Sequence, residues 1–183
     1  RINQNFDAWP SSELKRAYKS FLGKPVFVNH ENYDKDRTRG MVVDSRWHES
    51  DDDKFIELVI AVDQQTYPKL AEEIKDGNLD SVSMGASVDR TRCSACGNEA
   101  EDVMDFCDHV AYQKGQTVYD EYGNGKLVYE ECVAGVNFFE ISFVFDPADE
   151  TAVVQEVVNT KKTAKKVERT KPEGWAAVQS SVS

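Results

Sequence analysis

With 183 residues, 40% of them apolar and 30% charged, the chain can build one sizeable core and is short for a second full domain. Its 22 Lys and Arg against 33 Asp and Glu leave a formal net charge of −11, which weighs against nucleic acid as the main partner, since phosphate binding relies on an excess of cations. No apolar run approaches the roughly 18 residues of a membrane span, and Arg1-Ile2-Asn3-Gln4 lacks the pattern of a secretion signal, so a soluble cytoplasmic protein without a membrane partner is expected. A first residue other than Met reads as an excised domain or a processed product.

Ser11-Ser12-Glu13-Leu14 predicts a helix start, where a hydroxyl caps free N–H groups, and Leu14, Ala17, Tyr18, Phe21 and Leu22 recur at helical spacing until Gly23 stops the run. Val26 to His30, behind Pro25, is short and β-branched and predicts a strand. Arg39 to Trp47 and Phe55 to Val62 predict an antiparallel pair across the acidic turn Glu49 to Asp53. Tyr67 to Lys75 has Pro68 in its first turn and Gly77 just past its end, the asymmetry of a helix. Leu79 to Val88 returns as a strand. Asp89 to Gly125, rich in Cys, Gly, Asn and acids without periodicity, reads as an insertion held by something other than a core. Gly135 to Phe145 predicts an apolar strand and Pro147 to Val158 a closing helix. Asn159 to Lys171 carries Lys161, Lys162, Lys165, Lys166, Arg169 and Lys171 against Glu168, a flexible basic tail serving as solvated linker or docking segment. The expected organisation is one α+β domain over 1–158, with an insertion at 89–125, and a tail over 159–183; no internal repeat is present.

Within the insertion, Cys93-Ser94-Ala95-Cys96-Gly97 followed by Cys107-Asp108-His109 has the spacing of a zinc site. A Cys-x-x-Cys turn ending in Gly offers two thiolates to one ion, and a Cys-x-His pair completes a tetrahedron. Cytosolic thiols favour metal over disulfide, and four protein ligands leave no position for a reactive water, so structural Zn2+ is expected. A redox Cys-x-x-Cys would not need the downstream Cys-Asp-His. Cys132 reads as a buried small hydrophobe, with a fallback role as fourth ligand in place of His109.

Three histidines limit the choice of a general base. His109 is assigned to metal, His48 stands beside the acidic turn, and His30 ends an apolar strand in Val28-Asn29-His30-Glu31. In Ser81-Val82-Ser83-Met84-Gly85-Ala86-Ser87, alternation sends Ser81, Ser83 and Gly85 to one face, with Ser81 and Ser83 equal candidates for a nucleophile. Glu140 shares a face with Ser142 and Val144 and is costly to bury unless something hydrogen-bonds it, which an imidazole would do. A serine-rich strand near solvent and an exposed acid are the plain alternatives.

Taken in order, Gly23-Lys24-Pro25-Val26-Phe27-Val28-Asn29-His30, Gly40-Met41-Val42-Val43, Ser81-Val82-Ser83-Met84-Gly85 and Phe139-Glu140-Ile141-Ser142-Phe143-Val144, with Pro147-Ala148 and Ala152, resemble the prohead (capsid maturation) serine proteases of tailed bacteriophages, relatives of the herpesvirus assemblins. The resemblance covers about Phe21 to Val158, and the zinc insertion departs from the simplest members. It implies a mostly antiparallel β-barrel flanked by helices, with His30 as general base, Ser83 as nucleophile and Glu140 as the third member. It also implies cleavage of scaffolding and major capsid proteins, and of the chain itself, inside a prohead assembling in the host cytoplasm, and it leaves room for a homo-oligomer. A catalytically inactive assemblin-like scaffolding protein with a zinc-bound interaction lobe is the principal alternative. A zinc-finger nucleic-acid binder and a zinc hydrolase are two further ones.

Overall fold

A computed structural model describes residues 1–159 and 175–182; the basic run from Lys161 to Lys171 lies outside them. In chain order the strands are β1 (Asp7–Ala8), β2 (Pro25–Val28), β3 (Gly40–Glu49), β4 (Lys54–Asp63), β5 (Ser81–Ser87), β6 (Arg90–Cys93), β7 (Glu99–Ala100), β8 (Thr117–Tyr119), β9 (Gly125–Leu127), β10 (Glu130–Ala134), β11 (Asn137–Val144), β12 (Val154–Asn159) and β13 (Trp175–Val182). The helices are α1 (Ser11–Ala17), α2 (Pro68–Lys75) and α3 (Asp108–Gln113), with 3-10 turns at Tyr18–Phe21, Lys35–Arg37 and Val103–Asp105. The fold is therefore mixed, mostly sheet with a few short helices. No helix among the described residues is long and apolar enough to cross a membrane.

The chain divides into two compact units, Arg1–Ala17 with Ala86–Asn137, and Tyr18–Gly85 with Phe138–Ser183. The insertion expected at 89–125 is thus part of a larger body that also takes in the N-terminal segment. In this first unit β1, β10, β6 and β7 form a four-stranded sheet, and β8 and β9 a separate hairpin. β1 runs parallel to β10, and Lys114 Nζ ties the two by reaching Asp7 Oδ1 at 2.6 Å and Glu130 Oε2 at 2.9 Å. Burial acts against the Lys114 charge, but the two carboxylates hold its pKa above the ordinary value.

The second unit holds a seven-stranded sheet in the order β12-β13-β4-β3-β2-β11-β5. β3 and β4 pair antiparallel from Gly40↔Val62 to Glu49↔Lys54, as their alternating apolar residues predict, with an irregularity between Val42 and Asp44. Ile56, Leu58, Ile60 and Val62 of β4 are each 0% exposed, one face of a period-2 strand given wholly to the core. β2 and β11 pair in parallel, Val26 with Ile141 and Val28 with Phe143. Val82 N–H donates to Ala152 O and Val154 N–H to Asp80 O, so the starts of the two end strands, β5 and β12, are joined and the sheet curls back on itself.

Three expectations are corrected. Pro147 to Val158 holds no helix: Val154-Gln155-Glu156-Val157-Val158 is β12, a β-branched run that pairs antiparallel with β13. Trp175 to Val182, assigned with the tail, is β13 and lies between β12 and β4 in the sheet. The strand expected over Val26 to His30 ends at Val28, because Asn29 and His30 both take left-handed backbone, with φ of 50° and 56°.

Candidate active site and metal centre

Left-handed backbone at two successive non-glycine residues is uncommon, although Asn and His tolerate it better than most. The turn is held from several sides. Asn29 N–H donates to Phe143 O at 2.9 Å, His30 N–H to Ser142 Oγ at 3.2 Å, and Glu31 N–H to Val28 O at 3.1 Å. The bend swings the His30 ring back toward β11, where its Nδ1 lies 2.6 Å from Glu140 Oε1. The other carboxylate oxygen, Oε2, accepts from Ser142 Oγ at 2.8 Å.

Glu140 is 1% exposed and Ser142 0%, so the plain alternative of an exposed acid does not hold and the carboxylate is enclosed and fully partnered. A buried carboxylate persists when its oxygens are bonded, and here each has a donor. The Glu140 hydrogen bond raises the His30 pKa above the ordinary histidine value, against the opposing effect of partial burial. A carboxylate only accepts, so the N–H of a neutral ring sits on Nδ1 and its lone pair on Nε2, the arrangement of an oriented general base.

Ser83 lies on β5, the neighbour of β11 on the side opposite β2. The three expected residues thus come from adjacent parts of one sheet: His30 just past β2, Glu140 on β11 and Ser83 on β5. Gly85 fixes which face of β5 meets the acid. A Cβ built on it would stand 2.4 Å from Glu140 Oε1. Strand alternation puts Ser83 on that same face, one pleat repeat or about 6.6 Å along. Ser81 shares the face but lies further off, and its hydroxyl donates to Asp80 Oδ1. His30 and Glu140 are joined directly; among the described residues no hydrogen bond links the Ser83 hydroxyl to the His30 ring. Ser142 was legible only as a face-mate of Glu140, and no sequence signal ties it to the His30 amide.

In the first unit, one ligand atom each from Cys93, Cys96, Cys107 and His109 lies within 4.8 Å of all the others. Cys96 Sγ is 3.5 Å from Cys107 Sγ, and Cys107 Sγ is 3.9 Å from His109 Nδ1. Metal–sulfur bonds of about 2.3 Å in a tetrahedron require edges of about 3.8 Å, so the donor set fits one ion. The turn is built locally: Gly97 N–H donates to Cys93 O and Cys93 N–H to Asn98 O, with Gly97 at a φ of 75°. Asn98 Nδ2 donates to Asp105 O, fastening this turn to the loop that carries Cys107. Burial pushes the Cys107 thiol up, yet the Val110 amide, the other two thiols and His109 together bring it down to about 7. Thiolate is the ligating form. Burial instead drives the Cys132 thiol up to about 12, and it stands outside the ligand group, a buried small side chain as expected.

Comparison with protein-family models, with curated proteins and with solved structures finds no match to this chain.

Proposed function

We propose that the chain is a serine endopeptidase of the tailed-bacteriophage prohead type, assemblin-like in fold, in which His30 is the general base, Ser83 the nucleophile and Glu140 the orienting acid. The observation that carries this reading is the 2.6 Å contact between His30 Nδ1 and the enclosed Glu140 carboxylate. A charge kept out of water and aimed at an imidazole is costly for stability alone and apt for catalysis. The curled, mostly antiparallel sheet supports the fold part of the proposal.

In this mechanism His30 Nε2 takes the proton of Ser83 Oγ as the oxygen attacks a peptide carbonyl, and Glu140 stabilises the imidazolium that forms. Backbone N–H groups near Ser83 to Ala86 or in a facing loop receive the oxyanion, each contributing about 3 kcal/mol. The imidazolium then protonates the leaving amine, and water repeats the cycle on the acyl-enzyme. Scaffolding and major capsid proteins, and the chain itself, are the substrates, cut inside the assembling prohead. We assign zinc to the Cys93, Cys96, Cys107 and His109 group, where it would hold the first unit in its fold and do no chemistry, since four protein ligands close its coordination.

One observation favours a second reading, an inactive scaffolding relative: the Ser83 hydroxyl is not bonded to the His30 ring. An electrophilic fluorophosphonate separates the two. The wild-type chain is expected to gain one adduct by intact mass, located on Ser83, and the folded Ser83→Ala variant none. A wild type that is not modified and does not cleave an unfolded protein substrate would leave the scaffolding reading in place.

A further inference from the structure

We propose that Ser142 is a positioning residue of the His30–Glu140 pair, a single buried hydroxyl that fixes both the acid and the backbone carrying the base. This rests on the reading of His30 as base and Glu140 as acid. A serine oxygen offers one proton and two lone pairs. Here the proton goes to Glu140 Oε2 at 2.8 Å and one lone pair receives the His30 backbone N–H at 3.2 Å. With Oε1 engaged by the His30 ring at 2.6 Å, the three groups close a loop that runs from His30 backbone through Ser142 and Glu140 to the His30 ring.

The loop answers two needs. A glutamate carboxylate turns freely about its last torsion, and two opposed hydrogen bonds stop it. Left-handed backbone at His30, after left-handed Asn29, stores strain that persists only where neighbours over-determine it. Beside the backbone bonds of Asn29 and Glu31, Ser142 supplies the one side-chain hold on the His30 amide among the described residues, and it does so from inside the core. It is 0% exposed, paired in register with Phe27 of β2, so bulk water has no access to replace its hydroxyl. Alternation on β11 makes the pairing possible, since Glu140 and Ser142 occupy one face two residues apart.

The test follows the ring itself by NMR in the full chain, so its result stands whether or not peptide hydrolysis is observed. In Ser142→Ala the His30 titration midpoint is expected to fall toward the ordinary value of about 6.5, with the fold retained by circular dichroism. Where turnover is measurable, kcat should drop roughly 10- to 100-fold, the usual cost of removing an orienting partner, with KM changed less than kcat. Ser142→Thr, which restores the hydroxyl, should recover the wild-type midpoint. A midpoint in Ser142→Ala equal to that of wild type would overturn the proposal. If neither variant folds, amide exchange in the wild type decides: the His30 N–H should be strongly protected beside a half-exposed ring, and rapid exchange there overturns the role. Failure of the peptidase reading would show separately, as Ser83→Ala and wild type behaving alike toward the fluorophosphonate.

Discussion

The two units of this chain solve the problem of staying folded in different ways. Among the described residues, the twelve bulkiest fully buried side chains, from Phe21 and Phe138 to Val62, all belong to the second unit. There Phe21 stacks on Phe138 with ring centroids 4.0 Å apart, and the sheet packs in the manner of an ordinary core. The first unit buries small residues such as Ala100, Val110 and Val128, and adds a charged clamp at Lys114 and a ligand set of four. A thin core gains from a cross-link, and the lesson is that the first unit gathers four side chains that could hold an ion where apolar burial is small, whereas the second unit encloses a hydrogen-bonded carboxylate within a large apolar core.

The sharpest way to break this comparison is to strip any ion from the Cys93, Cys96, Cys107 and His109 group. Structural zinc supplies about 10–16 kcal/mol to isolated fingers, as much as the whole stability of many domains. Stripping the full chain with a chelator, or replacing Cys107 with Ala, should therefore release amide protection across residues 92–113 while the strands of the second unit stay protected. Hydrogen exchange read by mass spectrometry checks both halves at once. Protection unchanged in a chain proven free of metal would mean that packing alone holds the first unit.

The corresponding lesion in the second unit is Glu140→Ala. It leaves the Ser142 hydroxyl and the His30 ring Nδ1–H without their acceptor and opens a void where a side chain was enclosed. We expect a loss of about 3–5 kcal/mol, the range for breaking a buried pair, measured by urea unfolding of the second unit. A loss below about 1 kcal/mol would put the pair at the level of a surface contact. Chelation, by contrast, should leave the His30 titration unmoved.

What the residues disclosed follows the same division. The Cys93, Cys96, Cys107 and His109 group was legible because metal-site spacing is local: the four residues lie in one short stretch at a spacing that suits a single ion. The β3–β4 pair and α2 were legible for a similar reason, each carrying its own periodicity and end signals. The burial of Glu140 stood open against an exposed acid, because its partners reach it through sheet order; His30 is 110 residues away in sequence. β12 was misread as a helix because its partner β13 lies beyond a charged stretch, and a short β-branched run declares itself only once paired. The left-handed turn at Asn29 and His30 left no trace that a strand ending could not equally explain.

Glycine sharpens the contrast at smaller scale. Gly97 in the ligand turn has a φ of 75° and open space where a Cβ would stand, so only backbone conformation excludes other residues. Gly85 has no such conformation, but a Cβ there would collide with Glu140 Oε1 at 2.4 Å and with the Phe139 ring at 2.7 Å. Gly97→Asn should accordingly be milder than Gly97→Ala, since Asn tolerates left-handed backbone. At Gly85 the order should reverse, with Ala costing about 1–3 kcal/mol of overpacking and Asn more. Thermal unfolding of the four variants gives both orders, and a matching order at the two sites would remove the steric argument for Gly85.

The smallest expected effect is on pH dependence, and its sign is fixed by the direction of the His30 shift. The Glu140 hydrogen bond holds the ring pKa above its unfolded value. The folded state therefore keeps a proton that the unfolded chain gives up first, and the pair's contribution is fully present below about 6.5. It is lost as pH rises through the higher folded value. Catalysis has the opposite demand, because the base must be neutral, so the acid limb of any peptidase profile should lie above the ordinary histidine value and turnover should rise where this stabilisation fades. Glu140→Gln tests both statements together: the NMR midpoint and the acid limb should move down in step. If the limb moved while the ring midpoint stayed, a group other than His30 would be the base.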